Sequence, residues 1–360
     1  MQSVSMLIRR CRSVLPGYFA RLVIGVLALS AAPGIQAQQA PVQMTIGYQS
    51  LWATGGEIFE TLRHTNILEL NGIKAEFKTF TFGGPLGEAA VAGEIDNIFA
   101  ADAPVLRAVA RLPGSKVLSR THDQRFAIVA QPDFKGGLAD LRGKTLSGPF
   151  GTTTFPRCVE HIIAAGVKDP FKEIKIINQD IAEQTSALQG KQVDAVTTWD
   201  PTQERLIRMG YRVLYESKQG EGGGWMGLTG KFLNKYGEDG AMRFLKAWTM
   251  AAWWTSNNIE IAHGWFAQTS RISTDLLRVS AQADRYMKAP VKDIKSLDFV
   301  IPEDQLKSSQ RVMDFLFDRK LLQTQMDVRP LVDSAPMTKV AADISAGRFP
   351  PLNKIAIVLK

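Results

Sequence analysis

Apolar and polar positions along the chain change their period several times. Val42 to Gln49 alternates as a strand does and ends at the small polar Ser50. Gly55 to Leu70 then carries apolar residues at helical spacing, with Ile58, Phe59, Leu62, Ile67 and Leu70 on one face, until Asn71-Gly72 stops it. Lys74 to Phe82 reads as a second strand, and Gly83-Gly84-Pro85 opens a helix that ends at Gly93. Strand, helix, strand, helix, strand is the order of a doubly wound parallel sheet. A second round follows: strands at Phe126–Gln131, Thr145–Ser147 and Ile174–Ile177, and helices running to Ala165 and over Ile181–Gln189. Gly220–Gly224 is a glycine-rich return crossing. From Phe232 the pattern is mainly helical, with Phe244, Leu245, Trp248, Ala252 and Trp253 spaced as a core stripe. The apolar run Ile355–Leu359 fits no element of this scheme.

Two stretches spell the same structural sentence. Ala92-Gly93-Glu94-Ile95-Asp96 leads through an apolar run to Asp102-Ala103-Pro104, and Gln189-Gly190-Lys191-Gln192-Val193-Asp194 leads to Asp200-Pro201. In both, the second aspartate stands six positions after the first. Each copy predicts a helix stopped by glycine, a short buried strand, and an Asp-Pro turn that starts another helix. A helix start facing the carboxyl end of a strand is a ready anion site. One such site in each half predicts two α/β lobes with a cleft between them.

Length agrees, since 360 residues accommodate two domains of ordinary size. With 45% hydrophobic and 22% charged residues the composition is globular. The first residues depart from it: Arg9, Arg10, Arg12 and Arg21 with no acid, the apolar run Leu22–Ala32, and Gln36-Ala37 before Gln38. A basic start, a short apolar run and a small residue at the cut define an export signal over residues 1–37, and the run is too short to span a membrane. Cleavage lowers the formal charge from +8 to +4, a mild bias without the basic, aromatic-studded patches of a nucleic-acid binder. It also leaves Cys158 as the only thiol, expected to be buried in a helix beside Val159 and Ile162.

Several of these runs, taken in order, resemble one family. They are Phe82-Gly83-Gly84-Pro85-Leu86-Gly87-Glu88-Ala89, the two echo motifs, Leu138-Ala139-Asp140-Leu141-Arg142-Gly143-Lys144, the Gly151–Thr154 loop, and Gln192-Val193-Asp194-Ala195 leading to Thr198-Trp199-Asp200-Pro201. Together they look like the aliphatic-sulfonate/taurine/nitrate group of periplasmic solute-binding proteins, over about residues 43–230. The resemblance implies a type II periplasmic-binding-protein fold: α/β, two lobes, doubly wound mostly parallel sheets, and a helical C-terminal part. It implies a first lobe over 42–125, a second over 126–224, and a return to lobe one with C-terminal helices over 225–360. It further implies a monomer that takes up a small organic anion, most simply a sulfonate, and delivers it to the membrane permease of an ABC importer and, indirectly, to its ATPase. Neither cofactor nor metal is implied.

The candidate ligand residues follow from helix starts and strand ends. Gly151, Thr152, Thr153 and Thr154 offer backbone N–H groups and three hydroxyls to an oxyanion, or else form a plain helix cap. Gly84 and Pro85 are the matching start in lobe one. Asp102 and Asp200 either cap their helices or accept a hydrogen bond from the ligand. Trp52, Trp199 and Trp225, with Phe82 and Phe155, stand at strand ends where aromatics line clefts. Gln49 in the loop after the first strand and His122 near the crossing complete the set. Two further classes share the scaffold: a periplasmic sensor subunit, and enzymes of the desulfinase or thiamine-pyrimidine synthase kind. The enzymes call for a cysteine-rich run, or a cysteine after the first strand, where this chain has Gln49-Ser50-Leu51. N-terminal sequencing of the exported protein is expected to begin at Gln38; a soluble cytoplasmic product retaining residues 1–37 would overturn the export signal.

Overall fold

The computed structural model describes residues 40–358. The expected signal over 1–37, its cleavage point, and residues 359 and 360 lie outside them. The first half runs β1 (Val42–Gln49), α1 (Gly55–His64), α2 (Ile67–Leu70), β2 (Ile73–Phe80), α3 (Gly83–Val91), β3 (Asn97–Ala100), α4 (Asp102–Arg111) and β4 (Lys116–Gln124). The second runs β5 (Phe126–Ala130), β6 (Thr145–Gly148), α5 (Thr154–Ala164), α6 (Pro170–Glu173), β7 (Lys175–Asn178), α7 (Ile181–Gln189), β8 (Ala195–Trp199), α8 (Thr202–Arg208) and β9 (Arg212–Glu216). After these come β10 (Gly222–Leu228) and the helices α9 (Gly230–Asn257), α10 (Ile259–Ser270), α11 (Thr274–Ala281), α12 (Glu303–Asp318) and α13 (Ala335–Ser345).

The strands form ladders in the orders β1-β2, β3-β10-β4 and β7-β6-β8-β5-β9. Between β1 and β3 a side chain replaces the ladder. The Asn97 amide accepts from the Gly47 N–H at 2.7 Å and donates to the Gly47 carbonyl at 2.9 Å. Across that seam the first half reads β2-β1-β3-β10-β4, strand for strand the order of the second. In each, β1-β2 and β6-β7 are parallel, while the crossing strands β10 and β5 run against their neighbours.

The echo motifs are the same device in space. In the first copy Gly93 N–H donates to Ala90 O and Glu94 N–H to Ala89 O; in the second Lys191 N–H donates to Leu188 O and Gln192 N–H to Ala187 O. Asp96 and Asp194 then each exchange hydrogen bonds with a strand threonine. Thr45 N–H donates to the Asp96 carboxylate at 2.8 Å, and Thr145 N–H to the Asp194 carboxylate at 2.7 Å. The glycine assignment needs one correction: Gly190 has an ordinary φ of −77°, and Lys191 takes the left-handed turn at φ 52°, matching Gly93 at 77°.

The segment expected as one helix over 55–70 is two, because Thr65 is extended (φ −125°, ψ 166°). The break gives the C-terminal run its role: Thr65 bridges Ile357, and Val358 N–H donates to His64 O at 2.8 Å. α9 is likewise two helices, broken at Gly237. Its second half carries Trp248 into an aromatic core with Phe59 and Phe99, where the Phe59 ring lies 4.7 Å from Phe99 and 5.0 Å from Trp248.

The chain passes between the two large sheets at residues 124–126 and returns at 216–222. The two passages are hydrogen-bonded to each other: Ser217 N–H donates to Phe126 O, and Phe126 N–H to Ser217 Oγ, both at 2.9 Å. Returning, Gly222, Gly223 and Gly224 lie flat on β4. A Cβ at Gly223 would sit 2.4 Å from the His122 carbonyl oxygen, and one at Gly224 would sit 2.6 Å from the His122 ring, so both positions demand glycine. A non-glycine residue in the left-handed region is strained. Lys191→Gly is therefore expected to raise stability by about 0.5–1 kcal/mol and Gly93→Lys to lower it by as much, readable as shifts of urea midpoints at constant slope.

Candidate functional site

α5 begins where the second sheet faces α4 and α12, and its first turns border a cavity of about 680 Å³. The cavity wall takes Thr153, Thr154 and Arg157 from α5, Asp102 from α4, Ser308 and Ser309 from α12, and His122 and Trp225 from the paired strands β4 and β10. The size suits an organic molecule with its substituents.

Asp102 organises one end. It is the first helical residue of α4, one place inside the expected N-cap, which is Ala101. Its carboxylate accepts from Thr153 Oγ1 and Ser309 Oγ, both at 2.5 Å, and from Arg157 Nη2 at 3.0 Å. Thr153 Oγ1 also accepts from Ala103 N–H at 3.0 Å. The start of α4 is thus filled by its own acid and locked to the start of α5. Burial pushes the Asp102 carboxyl up, but Arg157, Ser309 and Thr153 outweigh it and hold the group below its usual value.

The three threonines divide their roles. Thr152 caps α5, accepting from Phe155 N–H at 3.3 Å while donating to Pro149 O. Thr153 joins α5 to α4. Thr154 alone among them makes no hydrogen bond among the described residues, and its hydroxyl borders the cavity. Two of the neighbouring residues carry a buried, unpartnered nitrogen, Arg157 Nε and His122 Nε2. Burial pushes His122 down to about 3, so at neutral pH it is an uncharged imidazole, with Nδ1 3.0 Å from Thr121 Oγ1.

Of the thirteen residues expected at the site, Asp102, His122, Thr153, Thr154 and Trp225 border this cavity. The others lie beside it. Trp52 is buried against Phe99 and His122 and its indole donates to Gln124. Gln49 donates to Phe99 O at 2.9 Å, and Trp199 donates to Leu51 O at 3.3 Å, tying β8 to the loop after β1. Gly151 packs against Gly84, 3.9 Å from its Cα to a Cβ built at Gly151, while Pro85 is exposed in the first turn of α3. Asp200 turns from the cavity to Arg125, whose Nε donates to it at 2.5 Å; burial still pushes its carboxyl up, to about 6. The Glu204 N–H reaches it as well, so part of the capping role survives.

Sequence reasoning missed Arg157, Ser308 and Ser309. Arg157 had a signal, since it follows Thr153 and Thr154 at helical spacing and so shares their face. The two serines had none, because nothing local places α12 over α5.

The fold is one the chain shares with solved solute-binding proteins. A curated relative from Bacillus subtilis (strain 168), named for aliphatic sulfonate binding, is 23% identical over 285 residues, 78% of this chain and 82% of its own length. The solved alkanesulfonate-binding protein SsuA of Xanthomonas axonopodis pv. citri, bound to MOPS, superposes with a TM-score of 0.67 at 21% identity, covering 82% of this chain and 99% of that one. The desulfurization enzyme DszB shares the fold at a TM-score of 0.60 and 15% identity, over 83% of this chain and 99% of its own. No family model matches the chain. The chain thus shares its fold with solved sulfonate- and nitrate-binding proteins, and its similarity to the curated relative points the same way as the motifs.

Because the Asp102 carboxyl is held low, its contribution to stability is complete above about pH 4 and is lost as pH falls through its lower folded value. Asp102→Asn leaves Arg157 without its counter-charge and is expected to cost about 3 kcal/mol at pH 7. It should also flatten the acid limb below about pH 4. Melting curves of both proteins across that range check this; parallel acid limbs would exclude it.

Proposed function

We propose that this chain is the extracytoplasmic receptor of an ABC importer and that it captures a small organic sulfonate in the cavity at the start of α5. One observation carries the reading. Thr154 and Arg157 share the face of α5 that borders the cavity, the Thr154 hydroxyl without a hydrogen bond among the described residues and Arg157 Nε buried without a partner, and buried polar groups seldom stay unsatisfied. A sulfonate has three acceptor oxygens and stays anionic at any physiological pH, so it matches a wall of donors. Trp225 and Phe126 supply apolar surface for its organic part. Binding by the relatives named above supports the same class.

Lobe one then comprises residues 42–125 with the segment after 224, lobe two residues 126–224, and the protein works as a periplasmic monomer. Catalysis finds no support at the one thiol among the described residues. Cys158 is fully buried beneath Ala127 O, and burial pushes its thiol well up, away from the reactive thiolate. After β1, Ser50 Oγ donates to Phe80 O at 3.3 Å, and Gln49 is likewise engaged.

Thermal shifts of the mature protein with ethanesulfonate, hexanesulfonate, MOPS, acetate, nitrate and a pyrimidine test the reading. A sulfonate at a hundred times its Kd adds about 2.7 kcal/mol of stability. Thr154→Val removes one hydrogen bond to a charged group, about 1.5–3 kcal/mol, and should weaken binding about ten- to a hundredfold. Asp200→Asn, outside the cavity, should leave affinity nearly unchanged. Stabilisation by acetate or the pyrimidine and by none of the sulfonates would overturn the ligand class; full affinity in Thr154→Val would overturn the site.

A further inference from the structure

The β4–β10 wall of the cavity carries charge that the start of α5 does not use. Trp225 of β10 stands opposite Arg120 of β4, Gly224 opposite His122 and Gly223 opposite Asp123, which leaves Thr121 as an extra residue on β4. This bulge puts Arg120 and Asp123 on one face, where unbroken alternation would set them on opposite faces. That face looks toward the cavity. Gly227, two places along β10 from Trp225, looks onto Val105 and Val109 of α4, the helix that Asp102 starts. The other face belongs to the core, and His122 turns its ring there, against Trp52 and Phe99.

Arg120 borders the cavity, yet its side chain is only 5% exposed. Nη2 donates to Asp123, while Nε and Nη1 make no hydrogen bond among the described residues. Neither is sealed in protein as Arg157 Nε is, so both are open to the cavity. Asp123 has no acceptor to spare for them. Its oxygens also take Arg285 Nε at 2.6 Å and Nη2 at 3.1 Å, and Arg285 borders the same cavity. Asp284, packed against Asp123, spends its carboxylate on the N–H groups of Asp123, Tyr286 and Met287. Among the other acids of the wall, Glu221 accepts from Tyr215 Oη and Lys218 N–H, and Glu160 feels the charges of Arg157 and Arg311. Asp304 is exposed at the start of α12. A buried cation with most of its donors unanswered is costly, so Arg120 calls for an acceptor that the protein does not supply.

We propose that Arg120 and Arg285 form a second oxyanion subsite on the β4 wall, and that the ligand is a sulfonate whose organic part carries a carboxylate. The inference rests on the sulfonate reading above, with the sulfonate at Thr154 and Arg157. A planar carboxylate matches the donor fork of a guanidinium, and its hydrogen bonds there are charge-assisted. A plain alkyl chain or a neutral amide gains no such bonds, so the β4 wall separates acids from their neutral analogues.

Calorimetric titration tests this with sulfoacetate, 3-sulfopropanoate and 5-sulfopentanoate, each against its own carboxamide, and with propanesulfonate as the plain sulfonate. The expected result is that at least one acid binds about tenfold or more tightly than its amide, an advantage that falls as salt rises. Arg120→Gln should bring that acid down to the level of its amide and leave the affinity of the amide unchanged, which also establishes that the variant is folded. Arg285→Gln, at a side chain 40% exposed, frees Asp123 to engage Arg120 fully and should lose most of the same advantage; it carries the test if Arg120→Gln does not fold. If the amides or propanesulfonate bind and no acid binds better than its amide, or if the advantage survives both substitutions, the carboxylate subsite is overturned and the sulfonate reading stands. The same holds if Arg120→Gln weakens acid and amide equally, since Arg120 then serves the sulfonate itself. If none of the probes binds, the sulfonate reading falls and the subsite with it.

Discussion

One carboxylate holds three separate parts of the chain together. Asp102 receives Thr153 and Arg157 from α5 and Ser309 from α12 while starting α4. An isolated buried charge is very costly, so four donors around two oxygens are what keep this acid ionised where it stands. The arrangement also decides which donors stay free. With the start of α4 filled by a protein acid, the donors left at this end of the cavity wall are on the face of α5 beyond Thr153. The cavity lies where that clamp leaves donors over.

Much of this frame could be read from the residues because the signals were local. The six-residue spacing of the echo aspartates marked a repeated hydrogen-bonding device, and the repeat in sheet order follows from it. Helix α7 and strand β1 fall where their periodicity put them. The misplacements have physical causes as well. Gly190 has the chemistry of a helix stop, yet Lys191 accepts the left-handed turn because the Asp194 clamp fixes the register three residues on. The helix over 55–70 breaks at Thr65 because the C-terminal tail takes over its backbone groups, a contact spanning most of the sequence.

The site was half legible for a related reason. Glycine, threonine and aspartate at helix starts announce backbone geometry, and that geometry is where Asp102, Thr153 and Thr154 belong. Which of them would meet each other and which the cavity depends on how α4, α5 and α12 come together, as where Ser309 of α12 and Arg157 of α5 both reach Asp102. The aromatic residues illustrate the limit. Trp52 and Trp199 were expected to line the cleft, and each instead spends its indole N–H on a protein acceptor while bracing the loop after β1.

The two passages between the sheets are one object mechanically. Because Phe126 and Ser217 exchange hydrogen bonds, and Arg125 on one passage reaches Glu216 on the other at 3.3 Å, the connection is a narrow two-stranded ribbon. A ribbon bends readily across its thin dimension and resists shear and torsion, which would break the rungs. Any motion of one sheet against the other that breaks no rung is therefore confined to bending about this ribbon, a single axis set by the chain's own two crossings.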